Sequence, residues 1–160
     1  MKTLLEVADR NTHAQLSFAY DPDTRCYMGH ASGSVTPQLA ARFGQSWEAK
    51  LKPFGAAPAL IDCRLLLELP ALSLADWVNH VLPPLARNGL KTWMLILPDR
   101  PLATQIFQDL ALVASTTAGF QLNLTNRVEV AANFLRHPEE YGYVPEVAEA
   151  VPGASRAALA

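Results

Sequence analysis

Two apolar stretches, residues 59–66 (ALIDCRLL) and 91–98 (KTWMLILP), flank a segment with a helical pattern, and that arrangement leaves few folds open. In the second stretch Trp93, Leu95 and Leu97 point to one side of an extended chain and Met94 and Ile96 to the other. A strand apolar on both faces belongs inside a sheet covered on both sides. In the first stretch Leu60 and Ile61 alternate before Asp62 and Arg64 arrive, where the strand is expected to run out. Between the two, Leu74, Trp77, Val78, Val81, Leu82 and Leu85 recur at helical spacing, with Trp77 assigned to the core. Strand, helix, strand implies two parallel strands joined by a right-handed crossover.

The rest of the chain extends this unit. Leu16, Phe18 and Tyr20 alternate with Gln15, Ser17 and Ala19, the period of a half-buried strand. Pro22-Asp23-Thr24 supplies turn chemistry before a second strand over residues 26–32, so the two form an antiparallel hairpin. Residues 4–7 offer a further short edge strand. Thr36-Pro37 opens a helix, the threonine capping free amides and the proline taking the first turn, and Leu39, Ala40, Phe43 and Trp47 follow at helical spacing. Ser73 with Asp76 makes a capping-box-like start to the helix containing Trp77. Pro83-Pro84 forces that helix to kink or restart, and Gly89 closes it. Asp99-Arg100-Pro101 begins a longer helix whose buried stripe is expected at Leu102, Ile106, Leu110 and Val113. Phe120, Leu122 and Leu124 mark a last strand with one wetter face, as at a sheet edge. Asn126 and Glu129 repeat the capping spacing for a final helix to about Arg136. The expected architecture is α/β: a mixed sheet of four to five strands, an N-terminal antiparallel hairpin and about four helices. Residues 1–137 form one domain, and 138–160, where the apolar period dissolves, read as a mobile or loosely docked tail.

Composition excludes several classes of function. Of the 160 residues half are hydrophobic and 18% are charged, and every apolar run breaks well before the ~18 residues of a membrane span. Glu6 and Asp9 interrupt the N-terminal leucines, so no signal peptide is read there. A net charge of −2 provides no basic stripe for nucleic acid. Cys26 and Cys63 sit among apolar neighbours, as free thiols do in a reducing compartment, which places the chain in the cytoplasm. The 29–33 segment (GHASG) has the spacing of neither phosphate-binding loop. Cys26 and His30 share one face of a strand, yet a structural zinc needs four ligands, so no metal or other cofactor is expected.

Asp62, Arg64, Asp99, Arg100 and Asn126 all fall at expected C-terminal strand ends, the edge where open α/β sheets collect ligands. They form the candidate binding edge. The competing assignment makes Asp99 and Asn126 helix caps and Asp62 with Arg64 an exposed ion pair.

The element order, the step Gly33-Ser34-Val35-Thr36 into the first helix, Leu60-Ile61-Asp62, the helix with Trp77, the Gly89-Leu90-Lys91 lead-in to a strand ending in Pro98, and Asn133-Phe134-Leu135 in the last helix resemble the STAS superfamily. More narrowly they are similar to small stand-alone STAS-like proteins related to anti-sigma-factor antagonists, over roughly residues 14–136. The resemblance implies a protein-interaction or regulatory module without a reaction of its own. In those antagonists the strand matching residues 59–66 ends in Asp-x-Ser, and a partner kinase phosphorylates the serine; here Asp62 matches the aspartate and Arg64 occupies the serine position. The switch therefore does not carry over. The superfamily's closeness to lipid-binding domains of similar topology implies the alternative, a carrier of a small apolar or amphipathic ligand. Edge strands also lead to the expectation of a homodimer; the protein partner is unknown.

Overall fold

The computed structural model describes residues 1–68, 75, 77–117 and 119–145, without the side chains of 48, 52, 68, 80, 81 and 117. The strands are β1 (Leu5–Asp9), β2 (Ala14–Asp21), β3 (Cys26–Ser34), β4 (Ala59–Glu68), β5 (Thr92–Ile96) and β6 (Gln121–Thr125). The helices are α1 (Pro37–Lys50), α2 (Leu82–Arg87), α3 (Pro101–Thr117) and α4 (Val128–Arg136), with a π-helical turn at Trp77–Val81 and short 3-10 turns at Lys52–Phe54 and Pro138–Tyr141. The six strands lie in chain order in one mixed sheet: β1, β2 and β3 antiparallel, then β3 to β6 parallel. The sheet thus has six strands, not four to five. β1 makes the difference: Leu5 and Val7 are buried while Glu6 and Ala8 are exposed, a half-buried edge strand too short to declare itself by period alone.

Local chemistry sets the turns. Asp21 accepts from Asp23 N (3.1 Å) and Thr24 Oγ1 (2.8 Å), closing the β2–β3 hairpin. Thr36 Oγ1 accepts from Leu39 N (3.2 Å) and Pro37 takes the first turn of α1, as the sequence predicts. α1 then buries Phe43 and Trp47 over the hairpin, with Phe43 4.8 Å from Phe18 and Trp47 4.8 Å from Tyr27. Gly29, opposite Phe18, leaves the space that this ring fills; a Cβ there would lie 2.7 Å from it. The paired prolines restart the helix where expected. The π-helical turn ends at Val81, and Pro83 and Pro84 enter the first turn of α2, where missing N–H groups cost nothing. Gly89, at φ 84°, ends it. Ser73, Leu74 and Asp76 lie outside the described residues, so the expected capping box does too.

Two cores result. The larger joins α1, the π-helical turn, α2 and α3 to one face of the sheet. Its α3 stripe is Phe107, Leu110 and Ala114, while Leu102 is exposed and Ile106 and Val113 are half-buried. Of the expected stripe Leu110 is buried and Val113 packs against this core, whereas Leu102 and Ile106 give way to Phe107 and Ala114; both sets have helical spacing, and only the sheet distinguishes them. Trp77 is half-buried and packs against this core. The smaller core joins Leu60, Met94 and Ile96 to Ala131 and Phe134 of α4. All five residues of β5 are buried, as a strand covered on both faces requires.

The first residues after α4 belong to this small core. The Tyr141 ring lies 5.5 Å from Phe134, its carbonyl accepts from Asn123 Nδ2 (2.9 Å) and its hydroxyl accepts from Asn133 Nδ2 (3.1 Å). Residues 138–145 are therefore placed by one aromatic and two asparagines rather than by an apolar period; residues 146–160 of the expected tail lie outside the described residues. No helix among the described residues is long and apolar enough to cross a membrane.

Candidate functional site

β4 does not end where its polar residues begin. It runs ten residues to Glu68, so Asp62 and Arg64 lie in mid-strand. β5 accompanies it only as far as the Asp62–Ile96 pair, whereas β3 follows it to the Ser34–Glu68 pair. Along that last stretch the register slips twice. From the His30–Asp62 pair to the Ser32–Leu65 pair, β4 spends three residues against two in β3, and it gains another between Gly33–Leu66 and Ser34–Glu68. Each extra residue is a bulge that reverses the alternation of side chains. Cys63 and Leu66 both reach the large core, and Leu65 and Leu67 are left 62% and 58% exposed.

One row of side chains crosses the opposite face of the sheet: Glu6, Ser17, His30, Asp62, Ile96 and Thr125. α4 packs on Leu60, Met94 and Ile96, so Asp62 stands at the boundary between the covered half of this face and the half over β1–β3. Arg64 chelates Asp62 through Nε (2.9 Å) and Nη2 (2.6 Å), and its backbone N–H donates to the same carboxylate (3.0 Å). The guanidinium bonds, foremost, hold the Asp62 carboxyl below the usual carboxylate range; His30 adds a smaller push in the same direction. The side chains remain 53% and 29% exposed for Arg64 and Asp62. Geometrically they are the exposed pair of the competing assignment.

Arg100 has a different task. Beyond Asp62 the β5 side of β4 has no strand against it among the described residues, and Arg100 donates from Nη2 to Leu66 O (2.8 Å) and from Nη1 to Leu67 O (2.9 Å). The guanidinium takes the place of the missing strand, satisfying carbonyls that an open edge leaves bare. Its own carbonyl accepts from Thr104 N (3.1 Å) at the start of α3, so Arg100 rather than Asp99 occupies the capping position. Asp99 is exposed. Asn126 is exposed as well, and does not cap α4: the helix begins after Arg127, without a side-chain cap, while Thr125 Oγ1 accepts from Arg127 N (3.0 Å). The five candidates therefore do not converge. Two pair with each other, one clamps β4, and two face solvent from separate loops.

Neither thiol is poised to react. Burial raises the pKa of Cys63, which stays protonated, and pushes Cys26 up to about 11. Among the described residues no three His, Cys, Asp or Glu side chains cluster to hold a metal ion. The feature that the strand pattern concealed is the pair Leu65 and Leu67, which period-two counting assigns to a buried strand and which the bulges turn outward. No family model, curated protein or solved structure matches the chain.

Proposed function

We propose that this chain is a non-catalytic, STAS-like interaction module of the cytoplasm, and that it docks a protein partner on the overrunning end of β4. The observation that carries this is the outward pair Leu65 and Leu67, more than half exposed on a strand fixed by β3 on one side and by Arg100 on the other. Rigid apolar anchors beside charged groups have the composition of a docking surface, an apolar centre with a polar rim. Burying each leucine is worth about 1.5–3 kcal/mol, and the strand that presents them has already lost its conformational entropy. Arg64 and Asp62 form the rim. In the STAS resemblance a guanidinium–carboxylate pair stands where related antagonists carry a phosphorylatable serine, so docking here is constitutive rather than switched by a kinase. The partner is a protein with an apolar groove, or a second copy of the chain.

The test is recovery of the full-length chain from its own host, followed by quantitative mass spectrometry and light scattering. Wild type retains a protein in a fixed ratio, or doubles its mass, and Leu65→Ser with Leu67→Ser loses that association at unchanged Tm. Association that survives the double substitution would remove β4 as the docking surface.

A further inference from the structure

At the end of the sheet away from those leucines, where β5 and β6 begin, lies a cleft of about 400 Å³. Small-molecule sites span roughly 300–1,000 Å³ and combine an apolar wall with a few polar groups. Here Ala56, Val144 and the backbone of three glycines supply most of the apolar wall, and Lys91, Thr92 and Gln121 bring polar side chains to it. One of those glycines, Gly119, has φ 68°, and a Cβ on it would meet nothing within 4 Å. Gly142 closes another side, passing so near Gln121 that a Cβ there would lie 2.8 Å from Gln121 Cγ.

Thr92 is the informative residue. It is only 5% exposed, and buried hydroxyls are ordinarily hydrogen-bonded. Its Oγ1 has no side-chain hydrogen bond among the described residues, yet it is not one of the enclosed orphans, which are Thr12 Oγ1, Trp47 Nε1 and Trp77 Nε1. The hydroxyl therefore keeps an opening, and the cleft is what its residue lines. Thr92 pairs with Gln121 across β5 and β6, so the two side chains leave the same face of the sheet. Lys91 forms no ion pair among the described residues, and no Asp or Glu among them lines the cleft. An ammonium, a hydroxyl and a side-chain amide can all donate, and a carboxylate only accepts.

We propose that this cleft binds a small organic carboxylate with an apolar body, the carboxylate taking hydrogen bonds from Lys91, Thr92 and Gln121 and the body lying toward Val144 and the glycines. The site stands at the opposite end of the sheet from the β4 docking surface and does not depend on it.

The probes are benzoate, acetate, which keeps the charge without the ring, and benzyl alcohol, which keeps the ring without the charge. Each is titrated at matched ionic strength into the full-length, ¹⁵N-labelled protein. Ligands of this size reach roughly millimolar affinity. Benzoate is expected to shift the Gln121 side-chain amide and the backbone amides of Thr92 and Gly119 in a saturable way, and to bind more tightly than either control. Lys91→Met removes the charge from an exposed position and should weaken benzoate about tenfold while leaving benzyl alcohol unchanged; Lys91→Arg should retain most of the binding. Thr92→Val keeps the shape and removes the hydroxyl, with a loss of roughly tenfold for benzoate. Absence of saturable shifts at these amides, benzoate binding no tighter than that of either control, or an unchanged benzoate affinity in Lys91→Met or in Thr92→Val overturns the proposal.

Discussion

At the scale of single residues, charge at a strand end has two different outcomes in this molecule. Arg100 is structural, because its guanidinium donates to two successive carbonyls of β4, those of Leu66 and Leu67. Arg100→Ala is expected to cost about 1–2 kcal/mol, less than two fully buried charged hydrogen bonds because one of them is exposed. Arg100→Lys, a point charge without the planar fork, should recover less than half of the loss in urea denaturation. The Asp62–Arg64 pair, more open to water, contributes little to stability at any pH. Its sign is nevertheless fixed. The native carboxyl lies below its ordinary 3.8, so the unfolded chain binds the proton more readily. The contribution is complete above that value and fades as pH falls through the lower native one. The stability difference between wild type and Asp62→Asn should shrink as pH falls below about 4; a difference that grows there would contradict the assigned pairing. The identities of these residues were legible in the sequence. Their arrangement was not, because it depends on how far β4 outruns β5, and no side chain in β4 announces that length.

At the scale of elements, the parts that obeyed simple periods were legible and those shaped by a neighbour were not. β5, the hairpin, the Thr36 cap and the proline restart follow from local chemistry, and the structure places them as expected. The bulges in β4 and the choice of stripe on α3 depend on the sheet alongside. Two glycines show the contrast within neighbouring elements. Gly33 has φ 71°, and a Cβ on it would collide with the backbone of His13 in the β1–β2 turn, so the end of β3 and that turn fit only around a hydrogen. Gly33→Ala should destabilise by about 1–3 kcal/mol, the range for a strained backbone position. Gly44, inside α1, has nothing within 4 Å of the position its Cβ would take. There alanine removes unfolded-state freedom without a clash, and Gly44→Ala should stabilise by roughly 0.5–1 kcal/mol. Thermal midpoints of the two variants, moving in opposite directions, check both assignments; equal shifts would mean that one of these environments is wrong.

At the scale of the whole molecule, the sheet divides the apolar interior unequally. Three helices and the π-helical turn close the large core, while α4 with the Pro138–Tyr141 turn closes the small one. The sequence showed that β5 must be covered on both faces, but not that so few of the described residues cover the second face, since the helix there is nine residues long and its turn is held by Asn123 and Asn133. A unit with few apolar contacts opens before the rest. Amides of α4 should therefore exchange through a partial opening that leaves β4 and β5 folded. Two substitutions separate this from all-or-none unfolding. Ile61→Val removes a methylene from the large core, which stays intact in the partly opened form; it should lower the exchange free energy of β5 amides by about 0.5–1.5 kcal/mol and leave that of α4 unchanged. Phe134→Ala weakens the native state relative to both the partly opened and the unfolded forms, so it should lower the values for α4 and β5 together, by about 3–5 kcal/mol. Native-state hydrogen exchange resolved by residue reads both. If Ile61→Val accelerates α4 as much as β5, the two cores unfold as one unit, and α4 is no more able to lift from the sheet than the strands beneath it.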